Sequence, residues 1–168
     1  MPKRWCISYY LFLILLIPSL ATAGSESLTR ILVDKSDHLL HVFVRDKKVA
    51  TFRVGFGTRP QGHKQQEGDK RTPEGWYVLD FKKADSAYFR AFHISYPNAA
   101  DRARAKQLGV SPGGDIMIHG EPNNPLARAA VLAYPSPDWT DGCIALSNAD
   151  MQRLWDMVSV PTPIEIVP

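Results

Sequence analysis

The sequence predicts a mainly β domain with short helices, and three features carry that expectation. Short β-branched segments alternate with turn residues early in the chain, helical periodicity is confined to brief stretches, and an alternating segment closes the sequence after Pro161.

Taken in order, Ile31–Val33, Leu40–Val44 and Lys48–Val54 read as an antiparallel meander, with turn material at Lys35–Asp37 and Arg45–Lys47. Gly57–Arg71 carries glycine, proline, glutamine and charge without apolar periodicity, which predicts a long exposed loop before a strand at Gly75–Phe81. Asn98 is placed to cap a helix over Ala99–Leu108, and Gly109 to end it in the left-handed region. Asp115–His119 reads as a short strand and Pro125–Ala133 as a short helix. Ser147 or Asn148 then caps a helix whose Met151, Leu154, Trp155 and Val158 share one face, so Trp155 is expected in the core. Pro161 stops that helix, and Ile164–Val167 alternates as a last strand.

The first residues have a different logic. Lys3 and Arg4 precede an apolar run from Ile7 to Leu20 and then Ala21-Thr22-Ala23, the layout of a secretory signal peptide. The run is shorter than the roughly 20 residues a membrane-spanning helix needs and contains Pro18, so no stable membrane anchor is expected after its removal. Residues 1–23 are therefore expected as the signal peptide and residues 24–168 as one domain. Without Lys3 and Arg4, 18 basic residues face 17 acidic ones, and no basic, aromatic-laced patch is present. Nucleic acid is therefore not an expected partner. Of the two cysteines, Cys6 falls in the signal region, which leaves Cys143 without an intramolecular disulfide partner. A lone thiol in an oxidising compartment persists if it is buried and inert or if its reactivity is used.

Two segments can carry chemistry: Ile118-His119-Gly120, and the run from Trp139 through Thr140, Asp141, Gly142 and Cys143 to Asn148. A thiol at neutral pH is mostly protonated and needs a base to become a nucleophile; His119 is the candidate. Gly142 allows close backbone approach, and amides around Cys143 are candidates for stabilising an oxyanion. His38, His41, His63 and His93 read as ordinary surface or strand residues, and no His/Cys cluster has metal-site spacing.

These residues resemble the signature of the L,D-transpeptidase catalytic domain, or YkuD domain: a His-Gly, then Ser or Thr, His, Gly, Cys, a hydrophobic residue, often Arg, and a nearby Asn. His119-Gly120, Thr140, Gly142, Cys143, Ile144 and Asn148 occupy those places; Arg71-Thr-Pro-Glu-Gly75 is similar to the family's Thr-Pro-x-Gly segment, and Ser95–Asn98 resembles a segment of one branch. The resemblance runs from about Thr29 to Pro168. It implies a mixed β-sandwich-like fold and acyl transfer on peptidoglycan stem peptides in the periplasm or cell envelope, through a thioester on Cys143 and without cofactor or metal. His119 is implied as the base and the Gly120 carbonyl as its orienting group. Thr140, Asp141 and Gly142 form the implied turn, and Trp139, Tyr134 and Asn148 are candidate lining of the substrate groove. Water in place of an amine acceptor would make the same site an L,D-carboxypeptidase or amidase. A non-catalytic wall-binding module is the alternative from another class.

The chain departs from the pattern in placing Asp141 where His usually precedes Gly-Cys, Ala145 where Arg often follows, and a longer stretch between His119 and Thr140. A carboxylate beside the thiol disfavours the thiolate unless a cation offsets it. Asp141 is therefore expected to pair with Arg59, Arg71 or Arg102, or with the acceptor amine. Ala145 removes a ready carboxylate clamp.

Overall fold

The computed structural model describes Met1 and residues 30–168, so the signal-peptide reading lies, apart from Met1, outside the described residues. Strands β1 (Arg30–Asp34), β2 (Leu39–Val44) and β3 (Lys47–Arg53) form the expected antiparallel meander. Burial alternates along β1 and β2, sending Ile31, Val33, Leu40 and Val42 into the core. A period of two is what a strand with one buried face requires. Then come β4 (Gly75–Lys83), β5 (Ala91–Ile94), helix α1 (Ala99–Leu108), β6 (Met117–His119), helix α2 (Pro125–Leu132), β7 (Ile144–Ala145), helix α3 (Asn148–Met157) and β8 (Thr162–Val167).

All eight strands belong to one sheet in the order β3-β2-β1-β8-β4-β5-β6-β7. The β1–β8 and β6–β7 pairs are parallel and the other pairs antiparallel. The fold is mainly β with short helices, as expected. The sheet curls into a half-barrel whose ends are joined by the chain that continues β3. Gly55 and Ala145 exchange backbone hydrogen bonds of 2.9 Å each, and Gly57 bridges Thr140. A Cβ on Gly55 would stand 1.8 Å from the Pro137 carbonyl oxygen, and one on Gly57 2.1 Å from that of Lys70, so the closure demands glycine at both places. One apolar cluster fills the interior, from Ile31 and Phe52 to Phe92, Ile118, Ile144 and Ile164, and α3 covers it with Met151 and Leu154. Trp155 packs against this cluster while only partly buried.

Asn98 caps α1 in a full capping box with Asp101, and Gly109 ends the helix at φ 68°. Of the two expected caps of α3, Ser147 is the one used, accepting from the Asp150 N–H. Strand β5 was not expected. It is four residues long, buried almost throughout and lacks visible alternation. Gly57–Arg71 is the expected loop, exposed over much of its length but anchored by buried lysines. Lys64 is buried and bonds Asp69 at 2.9 Å, while Lys35 reaches in to Glu74 at 2.7 Å and the Gly62 carbonyl at 2.9 Å. Buried charge is tolerable here because each ammonium meets a carboxylate. Among the described residues, no helix is long and apolar enough to cross a membrane.

Candidate active site

The site is assembled at the end of the sheet. Ile118 pairs with Ile144 and His119 with Ala145 in parallel register, and both isoleucines point into the core. Alternation then puts His119 on the other face of β6, with Cys143 immediately before β7 on that same face, one step back along the diagonal. A diagonal pair on one sheet face is within reach of a histidine ring.

His119 is only 5% exposed. Its Nδ1 lies 2.7 Å from the Gly120 carbonyl oxygen, which can only accept, so Nδ1–H donates in the neutral ring and Nε2 keeps its lone pair. Burial holds the imidazole below its ordinary range, opposed in part by that hydrogen bond. Tyr88 and Trp139 pack against the ring at centroid distances of 4.6 and 5.5 Å. Tyr88 was not anticipated; it lies far from either motif in sequence. Gly120 has no room for a side chain, since a Cβ would meet Asn148 Oδ1 at 2.6 Å and Phe89 Cβ at 2.9 Å.

Cys143 is half-buried. Its Sγ accepts from the Met117 N–H at 3.4 Å and, as a thiol, donates to the Asp115 carbonyl at 3.7 Å. Burial pushes the thiol above its ordinary range, the Met117 N–H pulls it down, Asp141 raises it and Lys64 lowers it. The thiol is thus mostly protonated at rest and depends on a base. The turn beneath it is pinned by Thr140, whose hydroxyl donates to the Cys143 carbonyl at 2.8 Å and accepts from the Gly142 N–H at 3.1 Å. Gly142 sits at φ 132°, where a Cβ would stand 2.6 Å from the Arg71 carbonyl oxygen.

Asp141 pairs with none of the three expected arginines. Its partner is Lys70, at 2.5 Å, on the long loop that packs beside the turn. The two flank the Thr140–Cys143 turn at the surface, with Asp141 80% exposed, so the pair moderates the carboxylate without removing its charge. Nor is His63 an ordinary surface residue. Its Nε2 lies 3.0 Å from Asp101 and its Nδ1 accepts from the Glu74 N–H at 2.9 Å, tying the loop to α1. His38 similarly contacts the buried Asp138 at 3.0 Å, which itself accepts from the Phe56 N–H.

A pocket of about 370 Å³ has Trp139, the residue packed on His119, among its walls, together with Tyr134, Ala145, Glu121 and Leu132. The two aromatics suggested for the groove therefore meet in one cavity. Asn148 supports the site from beneath, with Oδ1 accepting from the Glu121 N–H at 2.8 Å. A second pocket, of about 350 Å³, lies beside the turn and is lined by Lys64, Asp115, Ile116 and Asp141. Among the described residues, no group of three or more His, Cys, Asp or Glu is placed to hold a metal ion.

Strand alternation sets Cys143 and His119 on one sheet face beside a glycine turn, and the family model for the L,D-transpeptidase catalytic domain, YkuD, matches residues 28–166. The chain belongs to that family. The YafK protein of Escherichia coli (strain K12) is 42% identical over 100 residues, which are 58% of this chain and 32% of that protein. The crystal structure of the helical cell shape determining protein Pgp2 from Campylobacter jejuni superposes with TM-score 0.64 at 28% identity, covering 84% of this chain and 48% of Pgp2. An L,D-transpeptidase from Mycobacterium smegmatis shares the fold, with TM-score 0.53 at 15% identity over 84% of this chain and 59% of that one. The chain thus spans about a third of YafK and about half of Pgp2.

Proposed function

We propose that this protein is a cysteine-dependent L,D-transpeptidase that acts on peptidoglycan stem peptides in the periplasm or cell envelope. The observation that carries the reading is the His119–Gly120 hydrogen bond of 2.7 Å, which leaves Nε2 as a base on the face it shares with Cys143. Nε2 takes the thiol proton as Sγ attacks a stem-peptide carbonyl, forming the C–S bond and a tetrahedral oxyanion. The Gly142 N–H is engaged by Thr140, so the Cys143 N–H is the amide assigned to that oxyanion. Collapse breaks the peptide C–N bond, imidazolium returns its proton to the departing amine, and a thioester remains. An acceptor amine then attacks the thioester and passes a proton to His119; the new amide bond forms, the C–S bond breaks, and the imidazolium returns the proton to the sulfur.

The test is incubation of the purified protein with muropeptides followed by mass spectrometry. Cross-linked dimers are expected, and they vanish in Cys143→Ala. A carbapenem should form a covalent adduct that the same substitution removes; a native protein that forms neither product nor adduct would leave a wall-binding module instead. The likeness to Pgp2 favours a setting in the determination of cell shape. In that setting the same thioester can be resolved by water, and trimmed monomers in place of dimers would identify that outcome.

A further inference from the structure

Proton transfer from Cys143 would turn His119 into an imidazolium, yet the ring is buried and its Nδ1 partner is the uncharged carbonyl of Gly120. Among the described residues no carboxylate pairs with the ring, so burial disfavours the very form that the step creates.

What the ring does meet is aromatic. Tyr88 stands 4.6 Å from it, centroid to centroid, Trp139 stands 5.5 Å from it, and the two are 6.1 Å from each other, so they form adjoining walls around the imidazole. A cation within about 6 Å of an aromatic face is attracted by the negative potential of that face, and the attraction grows where water is excluded. A neutral imidazole feels little of it. The walls thus favour the protonated ring without keeping it protonated at rest, as a carboxylate would.

Tyr88 is held in place from several sides. The connection between β4 and β5 that carries it is tied to Asn123 by three hydrogen bonds of 2.8 Å: the Asn123 N–H and Nδ2 donate to the Ala87 and Ser86 carbonyls, and Oδ1 accepts from the Phe89 N–H. The Gly120 N–H donates to the Tyr88 carbonyl at 3.1 Å, so the residue that orients the ring also holds its wall. Phe89 sits at φ 62°, a left-handed conformation that a bulky residue adopts only where its surroundings impose it.

We propose that Tyr88 and Trp139 are positioning residues of the base, an aromatic corner that fixes the His119 ring and stabilises the imidazolium formed when Cys143 gives up its proton. The inference rests on the acyl-transfer reading for its role, while the ionisation of His119 can be measured without turnover. Besides Tyr88, the titratable groups around the ring are Cys143 before β7 and Glu121 two residues on, whose carboxylate is ion-paired with Arg128 of α2. Arg90, just before β5, lies over Phe89 and Trp155 instead.

The test is an NMR titration of His119 in Cys143→Ala, with its signals identified by their loss when His119→Gln is added. Tyr88 is 40% exposed, so its replacement leaves the core intact. Tyr88→Leu keeps an apolar cover without a π face and should lower the His119 pKa by about half a unit or more. Trp139→Leu should move it in the same direction, and Tyr88→Phe, which keeps the face, should leave it within about 0.2 unit. With Cys143 present, each leucine variant should slow acylation by a carbapenem about threefold or more, and Tyr88→Phe should acylate at the native rate. An unmoved or raised pKa in Tyr88→Leu, the result expected of a mere cover, or a Tyr88→Phe protein that behaves as Tyr88→Leu, would overturn the proposal. The expected titration, together with a native protein that is never acylated, would keep the aromatic corner and remove the acyl-transfer reading.

Discussion

At the scale of single residues, the candidate site sets a protonated thiol beside a neutral imidazole. Two carboxylates raise the thiol, Asp141 more than Asp115, and Asp141 is exposed enough to be removed without touching the core. Asp141→Asn should therefore lower the pKa of Cys143, read as a shift of the alkylation-rate profile to lower pH. An unchanged profile would show that Lys70 already cancels the carboxylate. His119 must be neutral to accept the proton, and burial lowers its pKa from about 6.5. The acid limb of the acylation rate assigned to His119 should accordingly lie below pH 6.5. A limb above that value would assign the base elsewhere.

At the scale of elements, the Thr140–Cys143 turn and the loop beside it depend on polar anchors. Thr140→Val keeps the shape but leaves the Cys143 carbonyl and the Gly142 N–H without their partner. Denaturation should show a loss of about 1–3 kcal/mol, and acylation should slow as the turn loosens. Asn98→Ala removes the α1 cap remote from the thiol and should cost about 1 kcal/mol with the acylation rate retained. His63 makes the loop sensitive to acid. Its pKa is held down by burial and then by Arg104, so between that lowered value and about 6.5 the unfolded chain binds more protons. Stability therefore falls as pH drops through this window, and His119, lowered in the same direction, adds to the loss. His63→Gln should flatten the slope of unfolding free energy against pH between about 5 and 7.

At the scale of the whole molecule, closure of the sheet through Gly55 and Gly57 is what brings the chain after β3 against the Thr140–Cys143 turn. Gly55→Val would drive a Cβ into the Pro137 carbonyl, at 1.8 Å, and break the paired bonds to Ala145. We expect loss of the folded state, or a fold in which Cys143 alkylates at the rate of a free thiol. A stable protein with native reactivity would show that the bridge is dispensable.

Much of this organisation was legible along the chain. The meander, α1 with both caps and the amphipathic face of α3 are local consequences of periodicity and capping, each decided within a few residues. The pairing of Cys143 with His119 as candidates needed only the chemistry of a thiol and the resemblance of two short motifs. What could not be read was whatever depends on register and closure. Strand β5 is buried on both faces and so lacks alternation; Lys70 reaches Asp141 across 71 positions, and His63 reaches Asp101 across the loop. Tyr88 and Trp139 against the His119 ring acquire meaning only when the sheet curls. Sequence by itself determined the candidate thiol, the candidate base and the elements that carry them, because these follow from residue chemistry and short-range backbone preference. The tertiary structure alone decided which charges meet and what the pocket presents, because long-range contacts are set by strand register and by where glycine lets two backbones touch.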